Sequence, residues 1–273
     1  MSLKLKKFNI TSISSDSVVV FIGKRRTGKS FLVKDLLYYH RDIPISTVIS
    51  GTEGANRFYS NIIPSIFIHE EYTPYLLDNV VTRQKRIKSR MEKDGPSTTI
   101  DPRSMLILDD CLFDNSWIKD KNIRCLFMNG RHYNMLFMIT MQYPLGIPPS
   151  LRTNIDYVFI LRENNINNRK RIYDNYASMF PSFEIFCTVM DQCTENFECL
   201  VVKINASSNK LSEQVFWYKA EPHKEFKICA QNFWDISIQK ESERKSNIDD
   251  EDGMCDFKDY QRKKLPKINV EKC

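Results

Sequence analysis

Residues 18–30 read VVVFIGKRRTGKS, an apolar and β-branched run that stops at a glycine-bounded loop. Helix-favouring sequence follows at once over residues 31–39. The loop matches the pattern G-x-x-x-x-G-K-[ST] at every position. A strand before such a loop and a helix after it let successive backbone N–H groups close around phosphate oxygens, aided by the unpaired N–H groups of the first helical turn. The stretch therefore predicts a phosphate-binding loop in an α/β fold.

The residue types within this loop have separate chemical roles. A side chain at Gly23 or Gly28 would block the approach of phosphate or the positive φ that the loop needs. Lys29 is expected to reach the β- and γ-phosphates of a nucleoside triphosphate, and the Ser30 hydroxyl is expected to bind Mg²⁺. A chance match in a glycine-containing loop is the alternative. The predicted nucleotide-binding residues are Gly23, Lys24, Arg25, Arg26, Thr27, Gly28, Lys29 and Ser30.

A second candidate element is the run MLILDD at residues 105–110. A continuous apolar run that ends in acids is typical of a buried parallel strand that carries carboxylates to the carboxyl edge of a sheet. Asp109 is predicted to hold Mg²⁺, directly or through water, and Asp110 to orient or deprotonate the attacking water. An aspartate pair that caps a turn is the other interpretation. The phosphate-binding loop upstream favours the catalytic one.

Two more candidates flank the next apolar run, MLFMITM at residues 135–141. A helix predicted before this run ends at Asn129-Gly130 in the manner of a C-cap, and Arg131 comes next. Gln142 directly follows the run. Because the ends of parallel strands line the ligand crevice, Gln142 is well placed to contact a γ-phosphate or its water. Taken singly, Gln142 would be a turn residue and Arg131 a surface cation.

The remaining sequence alternates strand and helix patterns, which is typical of a parallel sheet with helices on both faces. Two late strands are predicted to extend one edge of this sheet. We therefore predict an α/β P-loop NTPase fold with a mainly parallel sheet, helices on both faces and additional C-terminal strands. The further strands are predicted at 45–50, 65–69, 157–161, 198–204 and 214–219, and the helices at 72–91, at 117–128 and from 164 onward.

The two ends of the chain differ from this core in composition. Residues 1–15 are predicted to be a short polar lead-in to an ATPase domain that covers residues 1–238. From residue 239 the sequence shifts to charge blocks with few apolar residues, which predicts a charged, disordered tail over 239–273. No apolar run approaches the roughly 18 residues of a membrane-spanning helix, so a soluble chain is expected.

Charge and cysteine content set weaker limits. The 40 Lys and Arg against 34 Asp and Glu give a net charge of +6, which is compatible with a polyanionic partner but too small to require one. Basic residues concentrate over 83–93. They are interpreted either as a solvated helix end or as a patch that binds a phosphate backbone.

The eight cysteines lack a C-x-x-C pair, which indicates free thiols in a reducing compartment. The spacing of Cys187, Cys193 and Cys199 fits no common zinc site.

These motifs, together with the segment 148–152, resemble the genome-packaging ATPases of large nucleocytoplasmic and poxvirus-type DNA viruses, a branch of the FtsK/HerA superfamily of P-loop NTPases. The loop and the acids are common to very many NTPases. The features that point to this family in particular are the NGRH segment at 129–132, Gln142 and the segment 148–152. The resemblance spans roughly residues 15–235. The resemblance implies an ATP-driven motor that pushes viral double-stranded DNA into a preformed capsid. It also implies a homo-oligomeric ring in which each ATP lies between neighbouring subunits.

By this resemblance, Arg131 is expected to be an arginine finger that acts in trans on the γ-phosphate of the next subunit, with Arg152 as the second candidate and Gln142 as the sensor. Asp110 stands where the broader superfamily usually has glutamate, so its shorter side chain requires the water or the backbone to move closer. The implied partners are double-stranded DNA, further copies of the chain, and capsid or portal components, without a membrane. The implied location is the host cytoplasm, at the viral factory, or the virion.

Two other functions stay open on the sequence. A P-loop small-molecule kinase would use the basic cluster at 83–93 as a mobile lid, but it leaves Gln142 unexplained. The other alternative is a nucleotide-dependent switch or assembly scaffold. The oligomeric state of the family and the charged tail support it. Transfer of the γ-phosphate to a small acceptor would identify the kinase, and particle filling by a Lys29→Ala variant would identify the scaffold.

Overall fold

The computed structural model describes residues 4–111 and 116–251 of the 273-residue chain. In this part of the chain, nine strands form a single sheet. In chain order they are β1 (Lys6–Lys7), β2 (Val18–Ile22), β3 (Ser46–Ser50), β4 (Ile68–His69), β5 (Ser104–Asp109), β6 (Met135–Met141), β7 (Tyr157–Ile160), β8 (Glu198–Lys203) and β9 (Val215–Lys219).

The α-helices connect these strands or flank the sheet. Those within the described residues are α1 (Lys29–Tyr39), α2 (Glu53–Asn56), α3 (Pro74–Asp94), α4 (Ser116–Lys119), α5 (Lys121–Asn129), α6 (Pro149–Arg152), α7 (Ile166–Tyr176), α8 (Phe183–Cys193), α9 (Leu211–Gln214) and α10 (Gln231–Glu251). Short 3-10 turns occur at Ile10–Ser12, Ser65–Phe67, Gly95–Ser97 and Gly130–Tyr133.

The strand order across the sheet is β1-β9-β8-β7-β2-β6-β5-β3-β4. Strand β2 lies near the centre and pairs in parallel with β6 on one side and β7 on the other. Strand β8 pairs antiparallel with both β7 and β9, while the remaining pairs in the described residues are parallel. The prediction of a mainly parallel α/β sheet extended by late strands is confirmed. Parallel strands place their carboxyl ends at one edge, which is where such sheets bind ligands.

Both faces of the sheet are buried, which explains the unbroken apolar runs in its central strands. Alternate residues of β2 enter different cores: Val18, Val20 and Ile22 pack on one face, and Val19 and Phe21 on the other. The first core is completed by apolar residues of α3, α5, α7 and α8, and the second by residues of α1. The prediction of helices on both faces is therefore confirmed.

The prediction of a polar lead-in over residues 1–15 is wrong. Strand β1 adds an edge to the sheet by pairing with β9. Phe8, Ile10 and Ile13 that follow are buried in the second core, and the Phe8 ring lies 5.8 Å from the ring of Phe159. Lys6 and Lys7, which come directly before these apolar residues, are exposed on the edge strand and make the segment look polar in sequence.

Several element boundaries also differ from the prediction. The predicted strand at 65–69 is a 3-10 turn followed by the two residues of β4. The predicted helix at 117–128 is divided into α4 and α5, because Asp120 adopts an extended conformation and its carboxylate accepts a hydrogen bond from Asn122 N. The predicted end of the second helix is confirmed, because α5 ends at Asn129 with Gly130 as its C-cap. Gly130 has a right-handed φ of −53°, and the left-handed residue is Asn134, with a φ of 50°, after the 3-10 turn.

Helix α10 spans the position of the predicted C-terminal boundary. Helix α10 continues to Glu251, so the predicted domain boundary after residue 238 falls inside a helix. Residues 252–273 of the predicted tail lie outside the described residues. Among the helices of the described residues, none is long and apolar enough to cross a membrane.

Candidate nucleotide site

The loop between β2 and α1 has the shape that its glycines predict. A Cβ atom on Gly23 would lie 2.8 Å from the Thr27 hydroxyl and 3.0 Å from Leu161, so a larger residue would displace the loop. Gly28 precedes α1 with a φ of 98°, a conformation that L side chains rarely adopt. The Thr27 hydroxyl donates to the Lys24 carbonyl at 2.8 Å and closes the loop on itself.

Lys29 and Ser30 begin the helix that follows. Lys29 is only 7% exposed, although its side chain carries a charge, and its Nζ donates to Asp110 Oδ1 at 2.7 Å. Ser30 is exposed beside it. A buried ammonium at the end of the loop and an exposed hydroxyl next to it are the groups that bind phosphate and Mg²⁺ in such loops.

Asp109 is the last residue of β5 and lies level with residues of both neighbouring strands, Ser50 of β3 and Thr140 of β6. Its Oδ1 accepts from the Thr140 hydroxyl at 2.6 Å, and its Oδ2 accepts from the Ser50 hydroxyl at 3.3 Å. Burial raises the pKa of the Asp109 carboxyl, and the hydrogen bond from Thr140 opposes this effect. The carboxylate is therefore fixed in a row of oxygen atoms across three strand ends.

Asp110 turns away from the strand with a φ of 50°, a conformation that aspartate tolerates better than most residues. Its backbone N–H donates to the Thr140 hydroxyl at 3.0 Å. Its side chain accepts from Lys29 on one oxygen and, at 3.0 Å, from Gln142 Nε2 on the other. The structure thus brings together Lys29, Asp109, Asp110 and Gln142 at the carboxyl edge of the sheet.

Thr140 was not among the residues predicted for the site. It is fully buried and touches both aspartates, so it fixes their relative positions. Its signal in the sequence is a single polar residue within the apolar run at 135–141, two positions before Gln142. Ser50, the last residue of β3, gives a weaker signal, because that strand also contains Ser46 and Thr47.

Arg131 lies at the opposite edge of the sheet from these residues. It precedes β6, whereas Gln142 follows that strand, and the 7 residues of β6 span about 20 Å. The Arg131 guanidinium pairs with the carboxylate of Asp156, which also accepts from Val18 N and Asn205 Nδ2, each at 2.8 Å. The Arg131 side chain is nevertheless 58% exposed. It does not reach the phosphate-binding loop of its own chain.

Arg152, the second candidate for this role, is held inside its own chain. Its Nε donates to the Ile147 carbonyl at 2.7 Å, and Nη1 donates to Asn175 Oδ1. The guanidinium also lies 5.6 Å from the centre of the Tyr176 ring. These contacts connect α6 to α7. They give Arg152 a structural role that requires no ligand.

The basic cluster of α3 faces the same edge as Arg131. Lys88 and Arg131 line one cleft of about 460 Å³, together with Gln84 and His132. Arg83 belongs to the cluster only in sequence, because its guanidinium is turned inward, where burial lowers its pKa to about 10. Tyr75, in the first turn of the same helix, is 76% exposed. Because the cluster lies away from the loop of its own chain, it cannot serve there as a lid.

The donor set at the carboxyl edge fits a magnesium nucleotide. Mg²⁺ takes oxygen ligands and is usually held by one or two protein side chains together with phosphate and water. The Ser30 hydroxyl and the Asp109 carboxylate offer such oxygens. In residues 4–111 and 116–251, no group of three or more His, Cys, Asp or Glu side chains is arranged to hold a metal by itself. The cysteines in these ranges are free, and Cys255 and Cys273 lie outside them.

Two features define the P-loop NTPase fold. The phosphate-binding loop joins the central strand β2 to α1, and the acids lie at the end of β5, a strand separated from β2 by β6 alone. The structure aligns with the genome packaging NTPase B204 from Sulfolobus turreted icosahedral virus 2 in complex with AMP, with a TM-score of 0.54 and 15% identity over 77% of this chain and 100% of that one. It also aligns with the pCW3 conjugation coupling protein TcpA with ATPgS, with a TM-score of 0.53 and 14% identity over 84% of this chain and 65% of that one. At these identities the likeness is one of fold.

The chain belongs to a family of proteins from large DNA viruses. It is 40% identical over 235 residues to an uncharacterized protein of Acanthamoeba polyphaga mimivirus, which covers 85% of this chain and 82% of that protein. It is also 40% identical over 213 residues to an uncharacterized protein of Invertebrate iridescent virus 6, covering 77% and 80%. No family profile matches the sequence. The predicted resemblance is confirmed in both respects, the virus group and the fold.

Proposed function

We propose that the chain is an ATP-hydrolysing motor that translocates viral double-stranded DNA into the capsid. The observation that carries this proposal is the division of the functional residues between opposite edges of the sheet. Lys29, Asp109, Asp110 and Gln142 lie at the carboxyl edge, whereas the exposed Arg131 lies at the amino edge. A head-to-tail ring would place the amino edge of one subunit against the carboxyl edge of the next. Each ATP would then lie between two copies of the chain.

The residues of the carboxyl edge support hydrolysis rather than binding alone. Lys29 and the loop amides would hold the β- and γ-phosphates, and Ser30 and Asp109 would hold Mg²⁺, which neutralises phosphate charge. Phosphate oxygens would compete with Asp110 for the Lys29 ammonium, because both are anionic. Released from Lys29, Asp110 would accept a proton from the attacking water, with Gln142 beside it. Arg131 of the neighbouring subunit would stabilise the charge that develops on the γ-phosphate.

The charge distribution supports a polyanionic substrate. The exposed lysines and arginines of the second half of α3 continue the basic surface around Arg131, and the whole chain carries a net charge of +6. The family relatives come from large DNA viruses, and B204, which shares the fold, is a genome packaging NTPase. Viral DNA is therefore the proposed cargo. The proposed location is the host cytoplasm at the site of assembly, or the virion, with capsid or portal components as further partners.

The kinase alternative loses its main support. A kinase lid must close over the phosphate-binding loop of its own chain, but the basic cluster of α3 lies beside Arg131 at the other edge. Water is therefore the proposed acceptor of the γ-phosphate.

Phosphate release by the purified full-length chain, measured with and without double-stranded DNA, tests the proposal. Turnover is expected to rise on addition of DNA, and this stimulation is expected to weaken steeply between 50 and 200 mM salt, because DNA-phosphate contacts release counterions. Lys29→Ala provides the inactive control. If an oligomeric preparation hydrolyses ATP at the same rate with and without DNA, the motor function is contradicted and only ATPase activity remains.

A further inference from the structure

Phe197 is an exposed aromatic residue at the rim of the phosphate-binding loop. Its side chain is 67% exposed. A Cβ atom built on Gly28 would lie 3.3 Å from Phe197 Cδ1 and 3.5 Å from Phe197 Cβ, so the ring rests directly beside the last glycine of the loop. Phe197 immediately precedes β8, which is antiparallel to β7. Its position is therefore the carboxyl edge of the sheet, where the nucleotide site lies.

The backbone at this position is held in an uncommon conformation. Asn196 and Phe197 have φ values of 52° and 63°, in the left-handed region. Asparagine enters this region readily, but a bulky aromatic residue does so at a cost in free energy. Burial offers little to offset that cost, because the residue as a whole is 67% exposed. Strained and exposed residues of this kind concentrate at ligand sites.

The direction of the bound triphosphate follows from Lys29. Its ammonium points to Asp110, which lies beyond β6 on one side of β2. The γ-phosphate end of a nucleotide lies toward that lysine and those acids. The ribose and base must leave on the other side of β2, over the ends of β7 and β8. Continuing the register that pairs Ile160 with Leu200 places Phe197 just beyond the carboxyl end of β7.

We propose that Phe197 stacks on the base of the bound nucleoside triphosphate. The proposal rests on the proposed function of the loop as a triphosphate site, and it adds the base-binding residue. Every nucleobase has a π-face, so such a ring contributes affinity without selecting one base by hydrogen bonding. The ligand class is a nucleoside triphosphate whose base is held by stacking. The nearby Glu163 carboxylate is engaged by Lys24 at 2.5 Å, Asn165 N at 2.7 Å and Asn168 Nδ2 at 3.1 Å.

The test compares ATP with inorganic tripolyphosphate, which lacks ribose and base. Calorimetric titrations of ATP, GTP and tripolyphosphate with Mg²⁺ use the unmodified full-length chain and the variants Phe197→Ala and Phe197→Trp. The control is Tyr75→Ala, which removes another exposed aromatic ring, on α3. Phe197→Ala is expected to weaken ATP binding by about 5- to 150-fold. The same variant is expected to bind tripolyphosphate as the unmodified chain does. Phe197→Trp is expected to retain ATP affinity, and Tyr75→Ala to change neither ligand.

Each contrary result has its own meaning. Unchanged ATP affinity in Phe197→Ala, with ATP binding intact in the unmodified chain, overturns the stacking proposal alone. An equal loss for ATP and tripolyphosphate also overturns it, because Phe197 would then only support the loop. Failure of the unmodified chain to bind either ligand overturns both this proposal and the triphosphate site. A loss for ATP but not for GTP overturns the base-tolerant form of stacking.

Discussion

The ammonium group of Lys29 lies 2.7 Å from the carboxylate of Asp110, and the two side chains are only 8% and 25% exposed. The loop cation and one of the two site acids therefore satisfy each other. Anionic phosphate must take the place of Asp110 at Lys29, since both cannot hold the same ammonium equally well. In the proposed mechanism, Asp110 would therefore oppose nucleotide binding while it supports catalysis.

Replacement of Asp110 by asparagine separates these two effects. Asp110→Asn keeps the shape but removes the competing charge, so ATP affinity is expected to rise by up to about tenfold, or 1.4 kcal/mol. Turnover is expected to fall by about 10² to 10⁴ because a general base is lost. Calorimetry and phosphate release measure the two quantities. Asp110→Glu, which keeps the charge, serves as the control, and weaker ATP binding by Asp110→Asn would refute the competition.

Thr140→Val tests the hydroxyl that links the two aspartates. Valine has the same shape but leaves Asp109 Oδ1 and Asp110 N without the partner that each has in the structure. Stability is expected to fall by about 1–3 kcal/mol, and turnover is expected to fall while ATP affinity stays close to normal, because Thr140 does not contact the loop. Denaturant unfolding and steady-state kinetics provide the readouts. Thr140→Ser should recover activity, and a Thr140→Val enzyme with normal turnover would remove this residue from the site.

Much of the fold is predictable from the sequence because its signals are local. The run at 18–30 carries strand, loop and helix in one stretch, and the apolar runs at 105–108 and 135–141 are long enough to identify buried parallel strands. Edge elements escape this reasoning. Strand β1 has two residues, both lysines, and its formation depends on pairing with β9, more than 200 positions away in the chain.

The site divides in the same way. Lys29, Asp109, Asp110 and Gln142 each follow or end a recognisable strand or loop, so their meeting at one edge follows from parallel pairing. The position of Phe197 could not be predicted in this way. Nothing in its local sequence shows that β8 runs antiparallel to β7, which brings the turn that contains Phe197 next to Gly28.

The ion pair of Lys24 with Glu163 predicts an acid-dependent contribution to stability. Burial alone would raise the pKa of Glu163, but hydrogen bonds from Lys24, Asn165 N and Asn168 outweigh it and hold the pKa below its usual range. Such a group stabilises the fold above the unfolded-state pKa of about 4.3 and loses this effect as pH falls through the folded-state pKa. Glu163→Gln should therefore be less stable than the unmodified chain at pH 7. The difference should shrink below about pH 4.

Chemical unfolding at a series of pH values measures that difference. Glu195→Gln, which removes an exposed carboxylate in the turn before β8, is the matched control for the loss of one negative charge. A constant difference between Glu163→Gln and the unmodified chain from pH 7 to pH 3 would assign the effect to packing instead of charge.

His223 connects the segment between β9 and α10 to α1, the helix that follows the phosphate-binding loop. Its Nε2 lies 2.5 Å from the buried Asp35 carboxylate, which also accepts from the Tyr218 hydroxyl at 2.6 Å. Its ring stacks on Tyr38 at 3.8 Å. His223→Ala is expected to lower the free energy of unfolding by about 1–3 kcal/mol and the melting temperature by about 2–10 °C. Lys224→Ala, at the exposed neighbouring position, should melt normally, and equal melting of the two variants would show that the contact adds nothing.

The position of Arg131 leads to a complementation experiment. Arg131 cannot reach the loop of its own chain, so its proposed action requires a neighbour. Arg131→Ala is expected to bind ATP normally but to lose about 10³- to 10⁵-fold in turnover. Lys29→Ala is also expected to be inactive, yet it still offers Arg131 to the next subunit. Mixing the two inactive variants should therefore restore part of the turnover, because some interfaces combine an intact loop with an intact arginine.

Arg124→Ala removes an exposed arginine of α5 and provides the control for general charge loss. If mixed rings assemble but remain inactive, Arg131 does not act in trans. If Arg131→Ala hydrolyses ATP normally, Arg131 is not an arginine finger. The contacts of Arg152 with Ile147 and Asn175 predict a different phenotype for its removal, namely lower stability with no recovery on mixing. Phosphate release and thermal melting of the same samples therefore distinguish the two arginines.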